Sequence, residues 1–418
     1  MSFLAGYIFA SPSFTAPDIY LDSLPSTASY VIDTDGTYIW AVRYDGKIAC
    51  NGTDASTVIQ AAVDSLIEGR GKIFFKDGIY LLDTAIVPNP TPSKVVIRDA
   101  GIIFEGSGWG TVLASTGTNS VFEYTNVTDS LSYPVIKNMQ LRGYNLTRPF
   151  NGGWGINFSG GTCDVLIENC WVHRFADGGI KVNGWTSTIW RSPIEQNDNY
   201  GIYLHKLSGG GYQVHSTIFD NNINLGGFSG VGYAIYSEIN KVNIIGNYIY
   251  REIYIDGIDN VILGNTFGVN VPAGTVPFPF IQLSANSRRT RISNNDFVPS
   301  ATYSSYGIVI NSGAENIIIS LNHLGASYVS GIILNEGTNV MIINNHDYVT
   351  ESSGTATITA STTVVFAHGL AGTPTHVAVG FKTTGYGSWI WSADATNITI
   401  TVANSGTYDL TWDAEYTP

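Results

Sequence analysis

Between Gly153 and Tyr348 the apolar positions fall into one short pattern that recurs eight times. One strand type has the form Gly/Ala-Ile-x-apolar in most repeats. It stands at Ile156–Phe158, Ile180–Val182, Ile202–Leu204, Ile235–Ser237, Ile253–Ile255, Ile281–Leu283, Ile308–Ile310 and Ile332–Leu334. A second type ends in an amide or hydroxyl, as in Val165-x-Ile167-x-Asn169, and returns up to Asn247, Asn265, Asn295, Asn322 and Asn345. Ser192 and Ser216 take the column where Asn is missing. An apolar residue follows that column by two positions in most repeats: Trp171, Ile194, Ile218, Ile249, Phe267, Phe297 and Leu324.

Identical turns stacked about 4.8 Å apart let each Asn bond its neighbour and the turn backbone, forming an internal ladder. The step is 18 residues between Asn247 and Asn265 but 30 between Asn265 and Asn295, so the extra residues must leave as loops. A propeller or sandwich would need antiparallel hairpins with two-residue turns, and those are scarce here. The expectation is an all-β chain built on a right-handed, single-stranded parallel β-helix.

The flanks read differently. Tyr30–Asp33, Tyr38–Val42 and the turns at Asp35-Gly36 and Asp45-Gly46 predict small hairpins. One helix follows, capped by Asp54 or Ser56, with Val58, Ile59, Ala62, Val63, Leu66 and Ile67 on one face and Gly69 at its end. Strands are expected at Lys72–Phe75, Gly78–Leu82, Val95–Ile97 and Gly101–Gly108. From Thr350 six alternating segments (Thr355–Thr359, Thr363–Ala367, Val377–Phe381, Trp389–Trp391, Ile398–Val402, Tyr408–Trp412) predict a small antiparallel β-sandwich. The divisions are therefore 1–50, an arm and hairpins for attachment or oligomer contact; 51–349, the β-helix; and 350–418, a module for trimerisation or glycan binding.

Three segments carry a resemblance: Asn51-Gly-Thr-Asp-Ala-Ser-Thr-Val-Ile-Gln-Ala-Ala-Val63, Gly71-Lys-Ile-Phe-Phe-Lys-Asp-Gly-Ile-Tyr80 and Phe104-Glu-Gly-Ser-Gly108. Together they resemble the pectate-lyase-like superfamily, in the branch of viral tailspikes, capsule depolymerases and archaeal surface proteins. The resemblance implies that the helix caps the N-terminal mouth of the β-helix. It also implies a homotrimer of parallel β-helices with a C-terminal module that trimerises or binds glycans. Ala367-His-Gly-Leu-Ala-Gly-Thr-Pro-Thr375 and Thr411-Trp-Asp-Ala-Glu415 look like the small C-terminal module of viral tail proteins. These motifs are structural and do not specify an activity. The Asn-Thr-Asp, Asp-Asp and Gly-His-Gly set of polygalacturonases is missing, as are the Asp cluster and Arg-x-Pro-x-x-Arg of calcium pectate lyases.

The formal net charge of −13, with only 13% of residues charged, argues against general nucleic-acid binding. No run is long enough to span a bilayer. Phe3–Ala10 is apolar but lacks a preceding Lys or Arg, a poor signal peptide; residues 1–25 are expected to pack on a partner subunit or virion surface. The three cysteines, Cys50, Cys163 and Cys170, show no metal spacing, and Cys163 and Cys170 lie too far apart along one strand to bridge. Asn-x-Ser/Thr at Asn51, Asn126, Asn145, Asn157 and Asn397 matters only where glycosylation is supplied.

With Ile inward, alternate residues of the first strand type face out. One outward column is Asn157, Lys181, Tyr203, Tyr236, Tyr254, Gln282, Val309, Ile333; the next is Ser159, Asn183, His205, Glu238, Asp256, Ser284, Asn311, Asn335. Trp154, Tyr200, Tyr233 and Tyr306 lie just before the strands. Aromatic faces bind the C–H faces of sugars while polar neighbours read hydroxyls. Tyr203, Tyr236, Tyr254, Tyr200, Tyr233, Trp154 and Lys181 are therefore the candidate glycan contacts, and Glu238, Asp256 and His205 the candidate catalytic groups. Adjacent rungs would put the two carboxylates about 5 Å apart, the separation of a retaining glycosidase. Crowding is expected to raise one of their pKa values.

His173, Arg174 and Asp177, next to Lys181, offer a base or sugar-acid clamp to a lyase, against a plain structural turn. His323 and His346 read as ladder caps and His368 as a turn residue. No cofactor is called for, with calcium left open for lyase chemistry. The reading reached is a virion- or cell-surface, extracellular tailspike-like trimer that binds a surface polysaccharide. Its cleavage is left open, hydrolysis ahead of elimination. The alternatives are a non-catalytic structural or adhesion spike, with the aromatic strip buried between subunits, and a secreted polysaccharide lyase.

Overall fold

Ile156, Ile180, Ile202, Ile235, Ile253, Ile281 and Ile308 stand directly over one another, each fully buried, on consecutive parallel strands. This stack is one face of a parallel β-helix. The computed structural model describes residues 28–66, 70–87, 101–124, 134–143, 150, 153–159, 164–183, 186–206, 215–225, 232–272 and 275–416. The arm of residues 1–25, Cys163, Gly69 and the strand expected at Val95–Ile97 lie outside the described residues.

The face sheet has nine strands: Phe122–Glu123, Trp154–Phe158, Gly178–Val182, Tyr200–Leu204, Tyr233–Ser237, Glu252–Ile255, Ile281–Leu283, Tyr306–Ile310 and Gly331–Asn335. Every neighbouring pair is parallel and joins consecutive coils. Two further stacks close the coil, one through Ile189, Ile218, Ile244, Ile262 and Ile292, the other through Ile194, Ile223, Ile249, Phe267 and Phe297. Their side chains meet inside as a dry column, with Phe267 and Phe297 stacked at 4.7 Å.

Between those two stacks the chain turns a sharp buried corner, and the corner is where the amides stand. The Asn221 side-chain oxygen accepts from the Ser192 backbone N–H at 2.9 Å. The oxygens of Asn247, Asn265, Asn295, Asn322 and Asn345 each accept from the backbone N–H of the Asn one coil earlier, at 2.9–3.0 Å. From Asn221 to Asn322 each Asn Nδ2 donates to the next amide oxygen and to an Ile carbonyl of the coil before. The ladder exists because a buried corner N–H without a partner would cost about 1–3 kcal/mol. The residue immediately before each rung has positive φ, from Asn138, Asn169, Arg191 and Asp220 through Gly246, Gly264, Asn294 and Leu321 to Asn344.

Three sequence expectations shift here. The column passes through Cys170 and Asn221, not Asn169 and Ser216: the Cys170 N–H donates to Ser192 Oγ, and Asn169 instead bonds Asn138 on the outside. The apolar residues two positions on are accordingly Val172 and Ile223, while Trp171 is not in that core column and Ile218 belongs to the neighbouring stack. In the last face strand Ile333 pairs with Ile308, one residue later than the pattern implied, so Leu334 rather than Ile333 lies opposite Val309 and Glu336 rather than Asn335 follows Asn311. Long loops hide the coil boundary in the first two cases, and a slip of one residue changes every facing.

At the N-terminal end the helix Ala55–Asp64 is capped by Asp54, whose carboxylate accepts the Ser56 N–H at 3.0 Å. It buries Val58, Ile59, Ala62 and Val63 against the hairpin strands and Gly78–Leu82. The hairpin strand Tyr30–Thr34 also pairs in parallel with Gly71–Phe75, so it belongs to the same stack. At the other end four antiparallel strands replace the six expected segments, because Glu351–Ala367 and Asn397–Glu415 run the whole module. Their pairing is irregular between Ile358 and Thr363. Phe366 meets Trp412 at 4.9 Å although the two are far apart in the ladder, so the bent sheet folds over its own core. Cys50 and Cys170 are free thiols, and burial pushes Cys170 up to about 12.

The corrected ladder is directly testable. Asn221→Ala would orphan the Ser192 N–H and the Ile189 carbonyl, for a loss of about 3–5 kcal/mol in urea unfolding. Ser216→Ala, whose buried hydroxyl has no partner among the described residues, would leave stability at or slightly above the parent value. A costly Ser216→Ala beside a cheap Asn221→Ala would return Ser216 to the column. A second outcome concerns Leu321, exposed and at φ 58°, where Gly246 and Gly264 hold the equivalent place. Leu321→Gly should raise stability by about 1 kcal/mol, read from the same unfolding curves.

Candidate functional site

The outward face of the nine-stranded sheet carries an aromatic strip. Tyr203, Tyr236 and Tyr254 occupy one register position on three successive rungs. Tyr236 and Tyr254 stack at 4.8 Å and 8°. Tyr203 meets Tyr236 edge-on at 5.2 Å, so the column is a mixed stack rather than a plain pile. Tyr200 and Tyr233 pair in the column just before, stacked at 6.1 Å. Trp154 joins them by lying on Tyr200 at 5.7 Å. The rung between Trp154 and Tyr200 has Gly178 at that position, and any Cβ there would collide with the Trp154 ring. Lys181 caps this end, its ammonium 5.8 Å from the Trp154 ring and 5.4 Å from that of Tyr203.

The polar column runs beside the rings as the alternation predicted. Backbone bonds stack Asn183, His205, Glu238, Asp256, Ser284 and Asn311 on consecutive rungs. Glu238 accepts from Tyr203 Oη at 2.9 Å, from His205 Nδ1 at 3.0 Å and from the Lys206 N–H at 3.1 Å. Asp256 accepts from Ser284 Oγ and from Asn286 Nδ2. Both carboxylates open onto a cleft of 420 Å³ that is also lined by Lys206, Asn240, Asn286 and Arg288. The strip and the cleft are continuous through the Tyr203–Glu238 bond.

The charge state of this site differs from the expectation of a raised carboxyl. Burial pushes Glu238 up, but the bonds from His205, the Lys206 amide and Tyr203 outweigh it and hold the group below the usual carboxylate range. Counting like charges missed the donors, which favour the ionised form. The tyrosines move the other way. Burial and the bond to Glu238 raise Tyr203, and burial with Tyr254 pushes Tyr236 up to about 12, so the strip stays neutral and donates.

The raised acid is one the sequence reading overlooked. Glu252 takes the place of Tyr in the column of Tyr200 and Tyr233, is 8% exposed, and its Oε1 has no partner among the described residues. Burial pushes it up to about 8 against the pull of Arg251. Alternation from Ile253 places Arg251 in that column, and Glu252 enters it only through the register shift between Tyr233 and Ile235, which a column alignment does not show.

The remaining sequence candidates separate. His173 is buried, stacks on Trp171 at 4.6 Å, and is pushed down to about 3 by burial and by Arg174 and Arg142. Arg174 bonds Gln196 and Asp177 accepts the Gly153 N–H, so neither shares the partners of Lys181. His368 holds a turn, accepting from the Leu370 N–H. His323 and His346 follow the ladder on neighbouring coils beside Asp347.

No protein-family model matches the chain, and no curated protein does. Among solved structures it is similar to ORF18 of Geobacillus virus E2, with 17% identity over 88% of this chain and 76% of that one, at a TM-score of 0.55. It is also similar to the enzymatically active domain of tailspike protein 2 from bacteriophage CBA120, with 12% identity over 94% and 76%, TM-score 0.49. The A-module of the Azotobacter vinelandii mannuronan C-5 epimerase AlgE6 shares 14% identity over 70% and 94%, TM-score 0.42. These likenesses are of fold.

Glu252 gives the site a pH signature. An acid with a higher value folded than unfolded costs stability as pH rises between the two. The parent protein should therefore lose roughly 3–5 kcal/mol between about pH 4.5 and pH 8 through this group alone. Glu252→Gln should remove that slope from urea midpoints measured at pH 5 and pH 8.5. Equal slopes in the two proteins would show that Glu252 is ionised throughout.

Proposed function

We propose that the protein is a tailspike-like surface protein that binds a polysaccharide along the strip from Trp154 to Tyr254, with the Glu238–Asp256 cleft taking the sugar that follows. One observation carries this: six aromatic side chains form a half-buried ledge on one face of a rigid sheet, and the ledge leads into a cleft lined by acids and amides. Neutral rings stack on sugar C–H faces, and the Glu238 and Asp256 side chains accept from sugar hydroxyls. Exposed or virion-surface placement follows from such a ligand. Among the described residues no helix is long and apolar enough to cross a membrane.

Depolymerisation is the second reading, favoured by two carboxylates on adjacent rungs of one cleft. With Glu238 held ionised, its part would be nucleophile or base, and Asp256 would have to carry the proton. Oligomerisation, with a trimer as the expected state, is supported by the end of the β-helix. Ile332, Ile333 and Val340 of the last coil are only partly covered and Met341 is 52% exposed, whereas Ile308 and Ile310 one coil earlier are fully buried.

The test is a panel of bacterial surface polysaccharides, measured for binding by calorimetry and for cleavage by product size, with ultraviolet absorbance reporting unsaturated ends. One polysaccharide should bind, and Tyr236→Ala should weaken it at least ~10-fold, since it removes one ring and unstacks Tyr254. Glu238→Gln and Asp256→Asn should abolish shortening while leaving binding within ~10-fold. Absence of binding across the panel, with Tyr236→Ala dissociating the oligomer, would instead identify the strip as a subunit interface.

A further inference from the structure

A separate cluster lies at the last two coils, just past the amide ladder and outside the cleft. Asp296, His323 and His346 occupy one register position on consecutive coils, bridged in parallel. Asn322 and Asn345, immediately before the two histidines, are locked in the ladder, so the spacing of the imidazoles is set by the sheet. Asp347 has φ 67° and turns its carboxylate back onto them: Oδ2 lies 2.9 Å from His346 Nδ1 and 3.3 Å from His323 Nε2. All three atoms lie within 4.8 Å of one another. Behind them Asp296 Oδ1 sits 2.8 Å from His323 Nδ1.

We propose that His323 Nε2, His346 Nδ1 and Asp347 Oδ2 bind one divalent ion of the zinc class, with water completing the shell. A tetrahedral zinc with ligands near 2.0–2.1 Å needs its donor atoms about 3.3 Å apart. Two of the three edges are already 2.9 and 3.3 Å, and the third closes by rotation of His346, whose side chain is 73% exposed. Asp296 supplies the outer carboxylate that fixes the proton on His323 Nδ1 and leaves Nε2 as the lone-pair donor. Two imidazoles and one carboxylate suit zinc, cobalt, nickel or copper; magnesium and calcium demand more oxygens. Bound there, the ion ties the last two coils to the segment that enters the C-terminal module, where Thr350 Oγ1 donates to the Ile342 carbonyl and Tyr348 meets Tyr416. The ion is a staple at the end of the β-helix.

The full chain, stripped with chelator and dialysed, is titrated with zinc chloride by calorimetry, with magnesium and calcium as controls. One saturable zinc ion per chain is expected, with a rise in the thermal midpoint that chelator reverses and no response to magnesium or calcium. His346→Ala should abolish this binding, while Asp296→Asn, which leaves all three ligands, should weaken it about 10–100-fold. Far-UV circular dichroism of both variants at the parent's signal secures the comparison. No saturable zinc binding, or binding that survives His346→Ala unchanged, overturns the proposal, as does an equal response to calcium.

Discussion

A parallel β-helix must turn its chain inside the stack on every coil without stranding a buried amide, and the corner at the Asn column meets that demand. From Asn247 onward each amide oxygen there takes two donors from the coil before, one backbone and one side chain. Because the corner is fixed, the sheets on either side are fixed in register, and the face sheet inherits that register. The loops are free of it: coils of 18 and 30 residues share the same ladder without disturbing a rung. The strip of rings and the column of carboxylates are thus held by a scaffold that does not depend on them.

On that scaffold the site separates charge by place. Donors gather on Glu238 and keep it ionised at the edge of the cleft, while burial keeps the tyrosines and Glu252 neutral beside it. A neutral aromatic ledge next to fixed acceptors is a better match to a sugar chain than to a phosphate or a cation-rich partner. The aromatic packing is also cooperative. Gly178 leaves room for Trp154 to reach Tyr200, Tyr200 supports Tyr203, and Tyr203 orients Glu238.

Much of this was legible from alternation. An Ile every second residue, repeated coil after coil, specifies which side chains face out, and so Tyr203, His205 and Glu238 were brought together from sequence. What the pattern could not resolve lay where coils vary in length. Ser216 and Asn221 are both short and polar and lie five residues apart, and either fits a column read by residue type. Positive φ in the preceding residue does not separate them, since His215 (φ 74°) and Asp220 (φ 55°) both have it. What separates them is the amide of Asn221, which accepts from the Ser192 N–H and donates onward to Asn247. The titration of the site was hidden for another reason: His205 and the Lys206 amide reach Glu238 through geometry that no column alignment expresses.

The amide chain from Asn221 to Asn345 has a sense: each NH2 group from Asn221 to Asn322 donates to the amide oxygen one coil ahead, and none donates to the amide behind. Reversing any one side chain would set NH2 against NH2 on one side and oxygen against oxygen on the other. The orientation of each amide is therefore dictated by all the others, as in a row of aligned magnets. An aspartate at any rung could accept but not pass the bond on, and the row would break into two shorter ones around a buried charge. Arrangement, more than the count of bonds, is what this column contributes.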